Sequence, residues 1–409
     1  MKKDFGRLRE LGNKVAEIAH HPAQNEKKRL WVANNDLNPI RPMVYIDQLP
    51  WHELNVHGEL SLLCEDDFLR SIEQDLLRII YRWNHFPCDM VVENRVDIPH
   101  AVHNLNYGMR IVEQTLQTDS ANDIVSHKYE DLIGTPEKLH SLKDDEIWVD
   151  HDLDAQRFEL ASEIFRDILP VRFAGEQIHC GVWDRISQMR PLQNVLFDMM
   201  DRPDFIKETI SRLVDITMST VDQCEKLDLL DPFIQYVHCT GAYSDDLPPI
   251  EPGSTAKSQN VWAFGLAQAF STVSPDTHDE FEIELARPLL ERFGLMYYGC
   301  CEPLDKKIQI VKKIRNVRKI SISPWADVVS SAEQIGHDYV LSYKSNPAML
   351  AMESFNEDAV RKSLSHAIQS ASANKTPIEI ILKDVSTVKY RPKFLDQWEK
   401  IAMEIVNDL

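Results

Sequence analysis

Short apolar runs recur along the chain, and each is bounded by glycine, proline or charged residues. Runs of four to seven apolar residues with such boundaries are typical of strands that are buried on both faces of a sheet. The pattern predicts eight strands, at residues 42–47, 89–94, 176–181, 233–239, 294–299, 319–323, 338–343 and 378–382.

Helical patterns lie between these runs. Residues 65–83 carry apolar side chains at spacings of three and four, and Pro203 marks the start of a helix over residues 201–227. Strands that alternate with helices predict an α/β protein, in particular a (β/α)8 TIM barrel. A doubly wound sheet is the alternative, although no GxGxxG motif and no P-loop follows any predicted strand.

The predicted domain organisation is simple. Residues 1–35 are expected to form an N-terminal helical extension, and residues 36–409 the barrel. The acidic stretch around 100–160 has no clear periodicity, so we expect it to be an irregular insertion.

Composition narrows the class of protein. The 409 residues are 43% hydrophobic and 27% charged, which is ordinary for a soluble globular protein. A net charge of −20 argues against nucleic-acid partners and against binding to anionic membranes. No apolar run approaches the roughly 20 residues of a membrane span. The seven cysteines follow no disulfide framework, so a cytoplasmic location is expected.

Ionisable and aromatic residues concentrate where the predicted strands end, which is where a barrel holds its active site. We expect three carboxylates to act as general acids or bases and five other residues to bind a small-molecule substrate. Helix caps, salt bridges and a sealed barrel mouth are the alternative roles for these residues. The catalytic candidates are Glu93, Asp184 and Asp384, and the substrate-binding candidates are His52, Arg185, Trp325, Lys344 and Lys383.

The segment 294–303, GLMYYGCCEP, is the strongest candidate for a metal site. Thiolate, imidazole and carboxylate are the ligands that zinc accepts, and His238, Cys301 and Glu302 form the predicted set. Since neighbouring strand residues point to opposite faces, only one of Cys300 and Cys301 is expected to face the pocket if the strand stays regular. The alternative is that these thiols are small packing residues.

Several stretches together resemble the uroporphyrinogen decarboxylase superfamily, which includes zinc-dependent methyltransferases that act on methyl-corrinoids and coenzyme M. The resemblance runs from residue 41 to the C-terminus and implies a distorted (β/α)8 barrel. The stretches are RPMV at 41–44, the helix from Asp201, FIQYVHCTGAY at 233–243, the 294–303 segment, and VLSYKSNPAML at 340–350, where the family has a GNLDP-type turn.

The chain also departs from this family. The loop DQLPWHEL at 47–54 lacks the arginines of the RQAGR loop with which the decarboxylases hold carboxylates. The methyltransferases carry a His-x-Cys motif and a late cysteine. Here Cys301 matches the first cysteine, Gly299 stands in place of the histidine, and Ser386 lies near the late position. The zinc motif of the family is therefore only partly present, and a zinc ion here would need a rearranged ligand set such as His238, Cys301 and Glu302.

The leading hypothesis is a zinc-dependent methyltransferase acting on a small organic substrate or a methyl-corrinoid. A metal-free, decarboxylase-like carboxy-lyase is the second, with Arg185 or Lys344 holding the substrate carboxylate. A non-catalytic partner of a corrinoid protein is the third. The sequence leaves the oligomeric state open, a homodimer included.

Overall fold

The computed structural model describes residues 2–117 and 125–409 of the chain. Helices and strands alternate along most of this length, so the fold is mixed α/β. The helices are α1 (Lys2–Ala19), α2 (Ala23–Asn35), α3 (Trp51–Leu54), α4 (Asp67–His85), α5 (Pro136–His140), α6 (His151–Phe165), α7 (Val182–Met189), α8 (Leu192–Asp201), α9 (Pro203–Lys226), α10 (Pro275–His278), α11 (Glu284–Leu290), α12 (Ile308–Val311), α13 (Val328–Ile335), α14 (Glu357–Ala373) and α15 (Lys393–Asn407).

Many of the strands are short. They are β1 (Met43–Ile46), β2 (Val96–Pro99), β3 (Val102–His103), β4 (Glu113–Leu116), β5 (Ser126–Tyr129), β6 (Trp148–Val149), β7 (Val171–Ala174), β8 (Tyr236–Val237), β9 (Thr240–Gly241), β10 (Trp262–Gly265), β11 (Leu295–Tyr298), β12 (Val317–Ile322), β13 (Val340–Ser345) and β14 (Ile378–Leu382). Single 3-10 turns at Ser258–Asn260, Gln268–Phe270 and Pro347–Leu350 and a π-helical turn at Asp279–Ile283 complete the elements.

Six of the strands form one parallel sheet in the order β1-β14-β13-β12-β11-β10. Every residue of β11, β13 and β14 is buried, as expected for strands covered by helices on one face and by the core on the other. Consecutive strands from β10 to β14 are neighbours, an arrangement consistent with a TIM-like fold.

The sheet continues beyond both of its edge strands through single contacts. Phe264 of β10 makes a parallel bridge to His179, and the Val44 carbonyl of β1 accepts a hydrogen bond from the Asp89 amide at 3.0 Å. The strands assigned within the described residues do not close these two edges into a barrel.

The predicted strands at 42–47, 294–299, 319–323, 338–343 and 378–382 are confirmed as β1, β11, β12, β13 and β14. The predicted strand at 89–94 is wrong. Apart from the bond of the Asp89 amide to β1, side chains rather than a neighbouring strand satisfy its backbone. Tyr236 Oη bonds the amide and carbonyl of Val91, and Gln24 Oε1 accepts from the Val92 amide at 2.9 Å.

The predicted strand at 233–239 is also wrong as a member of the parallel sheet. Only Tyr236–Val237 is extended, and it pairs antiparallel with Thr240–Gly241 because His238 turns the chain with a φ of +55°. The place next to β11 belongs to β10, which the pattern did not predict. Residues 176–181 contribute only isolated bridges at Glu176 and His179.

The stretch at 100–160 is more regular than predicted. It contains the pairs β3–β6 and β4–β5, although residues 118–124 between β4 and β5 lie outside the described part. Its helix α6 contacts α1, where Arg9 Nη1 donates to the Ile164 carbonyl at 2.7 Å. The N-terminal range 1–35 holds α1 and α2, and the domain boundary at 35/36 stays a prediction.

An ion pair lies inside the sheet at the level of the β8–β9 hairpin. Lys319 of β12 and Glu379 of β14 are both fully buried, with Nζ 2.8 Å from Oε2. Lys319 Nζ also donates to Thr240 Oγ1 at 3.1 Å and to the Gly241 carbonyl at 2.8 Å. This pair therefore ties two strands to the hairpin. Across the described residues, no helix has the length and apolar character needed to span a membrane.

Candidate functional site

The carboxyl ends of the parallel strands meet at one edge of the sheet, and polar side chains collect there. A cavity of about 360 Å³ opens at this edge. The residues that line it lie at the carboxyl ends of β11, β12, β13 and β14 or in the segments that follow, and they are Cys300, Cys301, Pro324, Trp325, Lys344, Ser345, Asn346, Pro347, Ala348, Ala351, Lys383, Asp384, Ser386 and Thr387. Five of the predicted site residues, Cys301, Trp325, Lys344, Lys383 and Asp384, are therefore brought to one cavity.

A glycine sets the direction of the chain after β11. Gly299 has a φ of +96°, and a Cβ at this position would lie 2.6 Å from Leu304 Cδ1 and 3.1 Å from Ser321 Cβ. Only glycine adopts this conformation without strain. Because the strand ends here, the two following thiols do not alternate, and Cys300 Sγ lies 3.6 Å from Cys301 Sγ.

Three possible metal ligands converge on this thiol pair. Cys301 Sγ lies 3.3 Å from Asp384 Oδ2, and the ligand atoms of Cys300, Cys301 and Asp384 all lie within 4.8 Å of one another. Two sulfurs that bind one tetrahedral zinc at about 2.3 Å are roughly 3.7 Å apart, close to the separation seen here. Two thiolates and a carboxylate with a cavity beside them thus fit a zinc with an open position.

Lys383 lies against the same group. Its Nζ is 3.0 Å from Cys300 Sγ and 3.0 Å from Asp384 Oδ2, and the side chain is buried. A hydrogen bond from the Cys301 thiol, with His238 and Lys383 adding to it, lowers the pKa of Cys300. The Cys300 thiolate in turn raises the pKa of Cys301. The pair therefore holds its negative charge on the buried sulfur, beside the ammonium group.

Two imidazoles lie on the inner side of the thiol pair. His179 and His238 both stack on Phe264, with ring centroids 4.6 and 4.9 Å from it. Burial lowers the pKa of His179 to about 3 and lowers that of His238, so both rings are neutral at pH 7. His238 Nε2 is buried and has no hydrogen-bond partner of normal geometry among the described residues, while Cys300 lies close enough to affect its pKa. Neutral His238 keeps a free nitrogen that a metal could use.

Glu302, the third predicted metal ligand, points away from the thiols. Its Oε1 accepts from the Ala267 amide at 3.0 Å, and its Oε2 accepts from the Cys300 amide at 2.9 Å. Burial raises the pKa of its carboxyl to about 7. Glu302 is absent from the group of three convergent ligands, and it faces the backbone instead.

Asp184 and Arg185 lie deeper and do not line the cavity. Asp184 Oδ2 accepts from Gln268 at 3.1 Å, and burial raises the pKa of this carboxyl to about 6. Arg185 donates to Thr217 Oγ1 at 2.5 Å and to the His179 carbonyl, and its guanidinium lies 3.9 Å from the Tyr107 ring centroid. The guanidinium group of Arg185 is thus already bound by other groups of the protein.

Glu93 and His52 lie elsewhere. Glu93 accepts from Lys28 Nζ at 2.7 Å and from Tyr243 Oη at 2.8 Å, and it lines a second cavity of about 510 Å³. His52 packs edge-on against Tyr390, with ring centroids 6.3 Å apart. Neither residue reaches the thiol cavity.

The two lysines of the cavity have protein partners as well. Lys344 Nζ contacts Cys239 Sγ and Ser342 Oγ, both at 3.0 Å, and it donates to Tyr297 Oη. Trp325 is different, since 71% of its surface is exposed at the cavity mouth. Of the predicted substrate-binding residues, Trp325 alone combines a place in the cavity with a freely exposed side chain.

The sequence interpretation did not place Cys300 and Asp384 in the ligand set. The doublet Cys300-Cys301 was the available signal, but the expected strand alternation assigned only one thiol to the pocket. Asp384 follows a predicted strand, and its position there predicts a catalytic carboxylate rather than a metal ligand. Its distance of 83 residues from Cys301 left no spacing motif to join them.

Comparison with known proteins gives a fold-level relationship. No protein-family model and no curated protein sequence matches the chain. Among solved structures, a methyltransferase from Methanosarcina mazei superposes with a TM-score of 0.52 over 93% of this chain and 98% of its own. The two chains share a fold. Their sequence identity is 10%, so the similarity concerns architecture and leaves the activity to be argued from the site.

Proposed function

We propose that this protein is a zinc-dependent methyltransferase with a (β/α)8 barrel of the uroporphyrinogen decarboxylase superfamily. The observation that carries the proposal is the convergence of Cys300, Cys301 and Asp384 at a strand-end cavity. The shared fold with a methyltransferase supports the same interpretation at the level of architecture.

Zinc would be held by the two thiolates and the Asp384 carboxylate, with His238 close to the pair. When bound, a zinc ion lowers the pKa of a substrate thiol or polarises a substrate oxygen. Lys383 donates a hydrogen bond to Cys300 Sγ and to Asp384, which offsets part of the negative charge of the ligand set. Trp325 lies exposed at the cavity mouth, where its ring would pack against an organic substrate.

The cavity of about 360 Å³ suits a small organic substrate. A methyl-corrinoid, free or carried by a corrinoid protein, would approach as co-substrate from the open side at Trp325. All seven cysteines are free, and we keep the cytoplasm as the expected compartment. The carboxy-lyase alternative has less support, because Arg185 and Lys344 already donate to protein groups.

Metal analysis of protein purified anaerobically with zinc supplied tests the proposal. We expect about one zinc per chain in the wild type, and loss of that zinc in Cys301→Ser and Asp384→Asn. Cys224→Ser, which changes a buried thiol on α9, is the matched control and should retain the metal. Absence of zinc from the wild-type protein would refute the proposal.

Measurement of methyl transfer provides a second test of the proposal. Transfer of a methyl group from methylcobalamin to small thiols should depend on added zinc and stop on chelation. His238→Ala then decides whether the imidazole is a fourth ligand. If it is, the zinc affinity falls by about 10-fold or more.

A further inference from the structure

Cys300 is held by two contacts to its backbone and one to its sulfur. Its amide donates to Glu302 Oε2 at 2.9 Å, its carbonyl accepts from Ser321 Oγ at 2.9 Å, and its sulfur contacts Lys383 Nζ. Cys301, by contrast, is exposed. The placement of the thiol pair thus depends on how Cys300 is fixed.

Glu302 makes the contact that joins this turn to the neighbouring strand. Its carboxylate is fully buried, and its second oxygen accepts from the Ala267 amide, which follows β10. Hydrogen bonds from backbone amides to a buried carboxylate are among the stronger ones in proteins. The side chain therefore bridges the ends of β10 and β11 directly behind the thiols.

The turn needs such a bridge because Gly299 precedes it. Glycine is free to adopt many backbone conformations, so a φ of +96° at this position does not by itself hold the next residue in place. We propose that Glu302 is a positioning residue, which fixes the Cys300 backbone so that both sulfurs face the cavity and can bind one metal ion. This inference rests on the proposed function where metal binding is measured.

Glu302→Gln is the test variant. Glutamine has only one acceptor oxygen. Its NH2 group would therefore face the N–H group of either Ala267 or Cys300, and two donors cannot form a hydrogen bond. We expect zinc affinity, measured by chelator competition, to fall by about 10- to 100-fold. In metal-free protein, alkylation of Cys301 by iodoacetamide at fixed pH should change by at least about 3-fold, since the hydrogen bond between the two sulfurs is no longer held.

Glu282→Gln is the matched control. Glu282 is equally buried, and neither of its carboxylate oxygens has a hydrogen-bond partner among the described residues. Its pKa is raised by burial and then by Glu302, so it lies near the bridge but does not take part in it. The control should keep wild-type zinc affinity and alkylation rate. The control replaces an equally buried glutamate without removing a hydrogen bond to the Cys300 amide.

Each outcome of these experiments either supports or overturns the positioning role of Glu302. Wild-type zinc affinity and alkylation rate in Glu302→Gln would overturn it, as would equal effects in both variants. If the wild type binds no zinc, the proposed function fails while the alkylation rates still decide the positioning role. If Glu302→Gln does not fold, hydrogen exchange of the wild-type Cys300 amide decides, because protection supports the bridge and rapid exchange refutes it.

Discussion

The buried ion pair of Lys319 and Glu379 offers a stringent test of how the sheet interior is held together. Lys319→Met removes the ammonium group but fills a similar volume. The variant loses the 2.8 Å contact to Glu379 and the bonds to Thr240 and Gly241. Glu379 then keeps Thr240 Oγ1 at 2.8 Å as a partner, while its Oε1 has none among the described residues.

The magnitude follows from that geometry. Both side chains are 0% exposed, so removal of one partner leaves a buried charge without compensation. Breaking such a pair costs about 3–5 kcal/mol, a large part of the roughly 5–15 kcal/mol that stabilises a typical protein. Replacing both charges with apolar groups is often neutral, because the desolvation penalty disappears with them. Lys319→Met/Glu379→Leu should therefore recover most of the stability that Lys319→Met loses.

Urea unfolding followed by far-UV circular dichroism measures both variants against the wild type. We expect a free energy of unfolding lower by about 3 kcal/mol or more in Lys319→Met, and a double variant within about 2 kcal/mol of the wild type. A single variant that loses less than about 1 kcal/mol would show that the pair is not desolvated as described. A double variant less stable than the single one would refute the compensation argument.

Three further predictions concern the site and the groups around it. Gly299→Ala should lower the unfolding midpoint and the zinc content together, because its Cβ would meet Leu304 at 2.6 Å; a variant with wild-type values of both would contradict this account of the turn. His278 is buried against Tyr298, and burial lowers its pKa to about 3, so the stability it confers is present above pH 6.5 and falls by about 2 kcal/mol between pH 7 and 5. His278→Gln should lack that part of the acid dependence in urea titrations, and an unchanged dependence would exclude His278 as its source. Burial raises the pKa of Asp184 to about 6, so this group binds protons more tightly in the folded protein and lowers stability as pH rises from about 4 to 6. Asp184→Asn should accordingly gain up to about 3 kcal/mol relative to the wild type at pH 8 and little at pH 4, and an equal difference at both pH values would exclude this cause.

Apolar patterning predicted the strands whose burial is complete. β11 is a continuous apolar run, and β13 and β14 are mainly apolar or small residues interrupted by the buried Lys344 and Glu379, because both faces of these strands are covered. The same signal failed for β10, a four-residue run that ends in Gly265, and for the hairpin at 233–239. Hydrophobicity reports burial, whereas the positive φ at His238 and the bonds of Tyr236 to the Val91 backbone decide which segment joins the sheet.

The sequence allowed us to predict which strand ends carry the site residues. It did not allow us to predict in which direction their side chains point. The rule that catalytic residues follow barrel strands nominated Cys301, Lys383 and Asp384, which do meet at one cavity. The same rule also selected Glu302, but that carboxylate accepts hydrogen bonds from two backbone amides and does not line the cavity. The direction of these side chains depends on the backbone conformation at Gly299 and on the amide of Ala267, which follows β10 and lies 35 residues before Glu302. A local sequence pattern shows neither of them.

Gly299 also bears on how the proposed set of metal ligands could arise by mutation. In the methyltransferases that the sequence resembles, a histidine occupies the corresponding position. Here a histidine would have to adopt a φ of +96° with its Cβ against Leu304, so a single codon change does not lead to a working His-x-Cys motif. The turn would have to be rebuilt first. The two arrangements are therefore separated by an unfavourable intermediate. In the zinc site proposed above, the third ligand would come instead from Asp384, which follows β14 and lies 3.3 Å from Cys301 Sγ.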